Sequence, residues 1–406
     1  MTGVQTCALP ISYVNEIVDN DFTPNYTNMT MAGLALKASR AYSQVDQIRV
    51  WKDDGVPVQR FHPSEAGSIG PSNLFCDLVY YLLTDKVAGA GNLITADQIK
   101  TADFATTASF LRANKLFFDG PIVSPTNIRE FITSTAPFFL CNFVISDGLF
   151  SLVPSVPTTT GGSISTDAIP ISAIFTNGNI IEDSFSVEYL NSEERNDIQA
   201  VVRYREGVKN QLPLERTISV RWNVTGSTQN RIETFDMTQY CTSRDHAALA
   251  AKYILSIRKR ITHTVRFRTV PAGLNLAPGS YIRVVTQASP YSGINNGVVS
   301  ETGAITSASP LANGNYSVLY YKAPADAPIS GTLTVSNGTT SQSEFYGSIF
   351  TVTTASTSTN TYIVEQLTLN EEGLVEVLAS HFPTDSSYRS VIAADLVSAS
   401  AFVVEG

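Results

Sequence analysis

The sequence predicts an α+β, mainly β protein made of several β-rich, barrel-like domains, with an inserted helical segment and one long Ala-rich helix. Three observations carry this expectation. Short apolar-polar alternations bounded by Gly, Pro, Asn and Asp recur along most of the chain, as half-buried strands require. Between residues 72 and 137 the apolar period changes to that of a helix. Residues 243–260 form an alanine-rich run that starts on a serine and ends on Arg258-Lys259-Arg260, which suits the two ends of a helix.

Composition agrees with a folded chain. Its 406 residues, 43% hydrophobic and 16% charged, suffice to bury a core without covalent staples. No apolar run reaches the ~18 residues of a membrane helix. The best candidate, 138–152, is interrupted by Asn142, Ser146, Asp147 and Gly148, so no membrane span is expected. With 36 acidic against 27 basic residues and a formal net charge of −9, no global field draws the chain onto nucleic acid. Sequence-specific nucleic-acid binding is therefore not expected.

Taken in order, residues 1–12 (MTGVQTCALPIS) read as the translation of a common short-read sequencing adapter and are set apart as non-native. They lack the basic start and apolar stretch of a secretory signal. The remaining 394 residues (406 − 12) are read as a gene fragment whose beginning is missing.

Residues 13–70 form a β-rich segment, with alternations at 31–38 and 47–51 and a turn at Asp53-Asp54-Gly55. Residues 71–157 form an α+β segment with three helices and a hairpin. The first helix places Leu74, Leu78, Tyr81 and Leu82 on one face and stops at Thr84-Asp85. Thr95-Ala-Asp-Gln98 is a capping box that opens the second, whose apolar positions Ile99, Phe104, Ala108 and Leu111 span about four turns. Ser124-Pro125 opens the third, which buries Ile128, Phe131 and Ile132 and ends at Pro137. Residues 138–145 and 149–153 then form a hairpin through Ser146-Asp147-Gly148, and the Pro, Thr and Gly of 154–162 mark a linker.

Residues 158–290 form a β-rich domain with strands at 198–204 and 217–222 around the helix of 243–260, which buries Ala247, Ala250, Ala251, Ile254 and Ile257. The strand at 262–269 sets His263, Val265 and Phe267 against a wet face of Thr264, Arg266 and Arg268. Pro278-Gly279 turns into a strand at 281–285. Residues 291–406 form a C-terminal Ser/Thr/Asn-rich β domain with strands at 316–321, 345–353, 361–369 and 375–379. No unit of 20–50 residues repeats, which argues against a solenoid or propeller.

The chemistry-bearing residues assemble no catalytic, cofactor-binding or metal motif, and none is assigned. His62, His246, His263 and His381 each stand more than four residues from another His or a Cys. His381 is read as a surface or loop residue. Its alternative role, with Asp385 in a nucleophilic triad, lacks a Gly-x-Ser-x-Gly elbow. Apart from Cys7 in the first twelve residues, Cys76, Cys141 and Cys241 have neither disulfide nor zinc spacing and are read as buried free thiols. The carboxylate pairs Asp53/Asp54, Glu193/Glu194 and Glu371/Glu372 are sequence neighbours, which point to opposite faces of an extended chain. Gly161-Gly162 stands alone, with no phosphate-binding loop around it. Arg258–Arg260 with Arg266 and Arg268 is the one local basic cluster, read as a capped helix end and a wet strand face.

The run Ser243-Arg-Asp-His246 through Arg260, then Thr264-Val-Arg-Phe-Arg-Thr269, then Gly273-Leu-Asn-Leu-Ala-Pro-Gly-Ser-Tyr-Ile-Arg-Val284, resembles the hub region of phage tail-tip proteins related to the lambda host-specificity protein J. Ser280 stands where that family usually has Asp. Upstream, Asn73 to Thr84, Phe118-Asp119-Gly120, Gly148-Leu-Phe-Ser-Leu-Val-Pro154 and Arg195-Asn196 through Val202-Arg-Tyr204 keep the family's order and approximate spacing. Two departures stand out. Pro71 precedes Asn73 instead of a Pro following the helix, and Arg205-Glu206 replaces the Asp-Pro that often follows the tyrosine.

The resemblance covers roughly residues 25–390, most specifically 243–285. It implies a structural virion component at the distal tip of a bacteriophage tail: a homotrimeric hub that caps the tail tube and supports host attachment and DNA ejection. The implied partners are tail tube, tail-completion and tape-measure proteins, with tail fibres or a host surface receptor beyond them. Assembly would take place in the host bacterial cytoplasm. No enzyme activity and no cofactor are expected. The alternative is a glycan- or receptor-binding adhesin module of a tail without a hub role, with 286–360 as its binding region.

Overall fold

The computed structural model describes residues 55–406 apart from 123–126, 147, 177, 191–197, 208–213, 224–230, 271–275, 286–295, 308–309, 323–327, 353–359, 371–372 and 386. The chain divides into Met1–Gly55 and Val56–Gly406, and every described helix and strand belongs to the second unit. The expectations for residues 1–12, the alternations at 31–38 and 47–51, and Asp53-Asp54 lie outside the described residues.

Strands β1 (Pro57–Gln59) and β2 (Ile69–Pro71) pair antiparallel and lead into helix α1 (Phe75–Thr84). The helix buries Phe75, Cys76, Val79, Leu82 and Leu83, while Leu78 and Tyr81, expected on the inner face, are half-buried. Asp77 lies on the buried side as well. Its carboxylate accepts from the Phe61 amide at 3.1 Å and the Ser72 hydroxyl at 2.6 Å. Burial pushes this carboxyl above its ordinary value, and those two hydrogen bonds oppose the shift.

The capping box forms, with the Thr95 amide donating to Gln98 Oε1 at 2.9 Å, but it closes only the 3₁₀ turn Ala96–Gln98. Helix α2 (Thr101–Ala113) starts later than expected. Between the two, Ile99 is drawn into a bridge with Phe150, and the Lys100 amide donates to the Phe150 carbonyl at 3.0 Å. Helix α3 (Ile128–Thr135) is capped by Asn127, whose side chain accepts from the Glu130 amide; Ser124-Pro125 lie outside the described residues. Ile132 is fully buried, and Ile128 and Phe131 are partly so. Pro137 does not end the helical path. It sits in a 3₁₀ turn, Ala136–Phe139, which Leu140 closes at φ 53°.

The expected hairpin follows as β3 (Cys141–Ser146) and β4 (Leu149–Pro154), turning through Gly148 at φ 76°. The stretch at 154–162 is packed and is not a free linker. Val156 is buried in the main core, and a Cβ at Gly162 (φ 87°) would run into the Ser109 carbonyl of α2.

Five strands come next: β5 (Ala173–Thr176), β6 (Ser186–Tyr189), β7 (Ile198–Glu206), β8 (Leu214–Trp222) and β9 (Arg231–Asp236). Helix α4 (Arg244–Arg260) is capped by Ser243 as predicted, but more of its circumference is buried than one stripe. Ala248, Tyr253 and Leu255 join Ala247, Ala250 and Ala251, whereas Ile254 and Ile257 are half-buried. The remaining elements are β10 (His263–Thr269), β11 (Tyr281–Val285), β12 (Asn296–Val299), β13 (Ile305–Ser307), β14 (Gly314–Tyr321), β15 (Ile329–Val335), β16 (Ile349–Val352), β17 (Thr361–Leu369), β18 (Val375–Phe382), α5 (Val391–Val397) and β19 (Phe402–Glu405).

The architecture is mainly β α+β, as the sequence predicts. A four-stranded sheet, β19-β8-β7-β9, lays its buried face on α4 and shares one core with α1 to α3. A six-stranded sheet, β5-β11-β17-β18-β10-β6, curls around Phe175, Phe267, Ile282, Val364 and Val377. A five-stranded antiparallel sheet, β13-β12-β16-β14-β15, has its own core of Val299, Val318, Leu333, Phe345 and Phe350. That third sheet lies wholly between β11 and β17, which pair with each other antiparallel, Arg283 opposite Thr361. It is an insertion whose two ends are neighbours.

Candidate functional site

Two of the segments that carry the sequence motifs meet the chain just ahead of α4 at one junction. Asp119 accepts from the Thr242 hydroxyl at 2.6 Å and from Asn73 Nδ2 at 3.3 Å, and its amide donates to the Tyr240 carbonyl at 2.8 Å. A Cβ on Gly120 would collide with the Gln239 carbonyl, so only glycine permits this approach. Phe118 stacks on Tyr240 at 5.6 Å between ring centroids and lies 6.1 Å from Phe75 and 6.2 Å from Phe139. Residues 73–75, 118–120 and 239–243 thus meet at the start of α4.

Further along, Gly279 takes φ 92°, and the Ser280 hydroxyl accepts from the Ala277 amide at 3.1 Å, the backbone-capping role an aspartate would fill there. Gly273-Leu-Asn-Leu falls mostly outside the described residues, as do Arg195-Asn196.

The four histidines stand in three places. His62 Nδ1 lies 2.8 Å from Ser64 Oγ and 3.1 Å from the Arg112 guanidinium, and burial followed by that cation lowers its proton affinity. His246, in the first turn of α4, donates from Nε2 to the Phe138 carbonyl at 3.0 Å, and burial depresses its pKa to about 4. His263 and His381, distant in sequence, stack at 4.7 Å with 15° between planes. Thr262 Oγ1 lies 2.7 Å from one Nδ1 and 3.2 Å from the other, and Tyr362 Oη is 2.9 Å from His263 Nε2. His381 is therefore a half-buried strand residue of β18, where a surface or loop histidine was expected. Asp385 does not reach it; its carboxylate accepts from the Ser387 and Arg389 amides within a turn. Spacing along the chain cannot reveal this histidine pair, because the registers of β10, β17 and β18 create it.

Cys76, Cys141 and Cys241 are free and buried. Burial pushes all three thiols up, Cys241 to about 12, which leaves them without nucleophilic thiolate at neutral pH. Among the described residues no group of three His, Cys, Asp or Glu is placed to hold a metal ion. The pairs Asp53/Asp54, Glu193/Glu194 and Glu371/Glu372 lie outside the described residues.

The basic cluster is engaged within the chain. Arg258 meets Glu233 at 2.7 Å, Arg260 pairs with Asp395 at 2.9 and 3.0 Å, Lys259 lies 4.6 Å over the Trp222 ring, and Arg266 meets Glu376 at 3.2 Å. The outward face of the four-stranded sheet carries a ladder of ion pairs, Arg203 to Glu215 and Asp236 and Arg221 to Glu405. Its outer strands β9 and β19, and β6 at the rim of the six-stranded sheet, each pair on one side only among the described residues. Ile232 and Tyr189 on these rims are 63% and 58% exposed. Rows of unpaired backbone groups beside exposed apolar side chains can take up another strand. The described edges therefore offer backbone groups that a further strand could meet.

No family model and no curated protein matches the chain. Among solved structures, it is similar to a chain of the virion of a native gene transfer agent particle, at 9% identity and a TM-score of 0.41, over 79% of this chain and 50% of that one. It is also similar to a tail protein from Neisseria meningitidis MC58, at 9% identity and a TM-score of 0.30, over 66% and 59% of the two chains. A third is the 43 kDa tail protein of prophage MuSo2 from Shewanella oneidensis, at 9% identity and a TM-score of 0.25, over 66% and 55%. The chain spans between half and three-fifths of the length of these three solved chains.

Proposed function

We propose that this protein is a structural component of a bacteriophage tail, acting as a homotrimeric hub at its tip. The observation that supports this reading is the junction at the start of α4. Two separated segments that resemble tail-tip hub proteins, at 73–75 and 118–120, are held there by hydrogen bonds and one glycine-dependent contact with 239–242, which leads directly into the resembling run that starts at Ser243. The one-sided strands β6, β9 and β19 supply edges through which identical copies can join around an axis by heterologous contacts that close on rotation. Tube, tail-completion and tape-measure proteins are the partners such a hub would meet. Light scattering of the purified chain, with negative-stain images of the same sample, tests the proposal. A trimer that forms rings supports it. A monomer that stays monomeric when mixed with tail tube protein overturns it.

A second reading has an observation of its own. The five-stranded sheet has a separate core and is inserted between two paired strands, as a binding module carried on a scaffold would be. In the adhesin reading this insertion binds a surface glycan. A glycan array comparing the whole chain with one whose residues 286–360 are replaced by a short linker decides that reading. Signal lost with the insertion supports it, and no signal above background from the whole chain sinks it.

A further inference from the structure

Arg283 differs from the paired cations of the basic cluster and the sheet faces. It lies on β11, is 3% exposed, and its Nε has no hydrogen-bond partner. No carboxylate among the described residues lies within ion-pair distance of it. The group that meets the guanidinium is the Tyr388 ring, 3.7 Å from the guanidinium carbon to the ring centroid. Burial accordingly weakens the hold of the guanidinium on its proton, and Tyr388 offsets that only in part. Isolated buried charges are costly unless paired, and an aromatic face compensates less than an oxyanion accepting two parallel N–H bonds.

The surroundings add donors. Thr361 is the register partner of Arg283 on β17, is 1% exposed, and its hydroxyl meets that of Thr384 at 3.3 Å. Two hydroxyls sharing one hydrogen bond leave a second donor proton available. Tyr388, the cover, is half-buried and held at φ 60°, a left-handed conformation that costs a non-glycine residue energy. Its carbonyl accepts from the Ile169 amide at 2.9 Å, and its amide donates to the Asp385 carbonyl at 3.0 Å. The backbone that carries the ring is therefore fastened on both sides.

We propose that Arg283, with Thr361 and Thr384 beside it, is a binding site for an oxyanion, and that the Tyr388 ring is its displaceable cover. Turning the ring outward exposes Nε and one Nη as a fork, the geometry that suits a carboxylate, sulfate or phosphate group. The site is separate from the junction and from the strand edges invoked for assembly, so it stands or falls independently of the tail-hub reading.

The test is calorimetric titration of the whole chain with sodium sulfate, sodium phosphate and sodium acetate, at ionic strength held constant with sodium chloride. Heat of binding to one site per chain is expected. Tetrahedral against planar anion distinguishes an inorganic oxyanion from the carboxylate of a partner molecule. Arg283→Met should abolish the heat. Tyr388→Ala, which keeps the cation and removes the cover, should tighten binding about tenfold, because the cover no longer holds most molecules in a closed form. Should Arg283→Met fail to fold, Tyr388→Ala still decides the matter. No saturable heat with any of the three anions in both the wild type and Tyr388→Ala, or equal heat in wild type and folded Arg283→Met, overturns the site.

Discussion

His246 shows how much a single buried side chain ties this molecule to pH. The ring is enclosed where α4 meets the turn around Phe138, and burial is the first cause of its depressed pKa, with the Phe138 carbonyl and Asp119 pulling the other way. A folded-state value of about 4 against an ordinary 6.5 means that the unfolded chain takes up the proton first as acid is added. This contribution to stability is complete above pH 6.5 and is lost as pH falls toward 4, amounting to about 3 kcal/mol. His246→Gln keeps a donor for the Phe138 carbonyl and removes the titration. Urea unfolding at pH 7 and pH 4 should then show the variant losing roughly 3 kcal/mol less than the wild type. Parallel losses in the two proteins would mean that the ring is hydrated in the fold. The sequence placed His246 correctly in the cap of α4, yet nothing local announced its burial, which comes from residues more than a hundred positions earlier.

Elements in this protein are positioned by partners remote in the chain. Helix α5 has only seven residues, too few to be stable alone, and what fixes it is Asp395 in a two-bonded pair with Arg260 at the end of α4. Asp395 is the more buried member, with its side chain 11% exposed against 35% for Arg260. Asp395→Asn should cost about 2 kcal/mol in chemical denaturation, since an amide leaves the guanidinium with one acceptor and no counter-charge. An unchanged midpoint would show that water serves Arg260 as well.

The stretch at 154–162 offers a contrasting case. Its Pro, Thr and Gly content reads as a linker, and a linker would accept alanine at Gly162. The packed turn against Ser109 would not, because both φ 87° and the Ser109 carbonyl exclude a Cβ. Gly162→Ala is expected to destabilise by about 2 kcal/mol or more, read as a lower thermal midpoint. The capping box at Thr95 teaches the same lesson. The local motif formed, but the pull of Phe150 on Ile99 and Lys100 confined it to one turn.

For the whole molecule, the arrangement of sheets makes a prediction about divisibility. The six-stranded sheet draws strands from both sides of the five-stranded insertion, so residues beyond 360 cannot be cut away without opening that sheet. The insertion itself can be removed at its neighbouring ends. Replacing 286–360 with a short Gly-Ser linker should leave a cooperative melt within about 5 °C of the parent, because the insertion keeps its own core. One local penalty is expected where Val298 packs against Gly178 beside β5. A non-cooperative melt would show that the three cores are one.

By itself the sequence determined the class of the fold, the long capped helix α4, the hairpin of β3 and β4, and the alternation of β10 with His263, Val265 and Phe267 inward. These are legible because period, caps and turn residues act over a few positions, where the chain's own stereochemistry decides. The tertiary structure alone decided which strands share a sheet, that Asn73 and Thr242 meet at Asp119, that His263 and His381 stack, and that Arg283 is buried under Tyr388. Each of these joins residues far apart in the chain, and such contacts depend on register and on the packing of whole layers, which no local window of sequence contains.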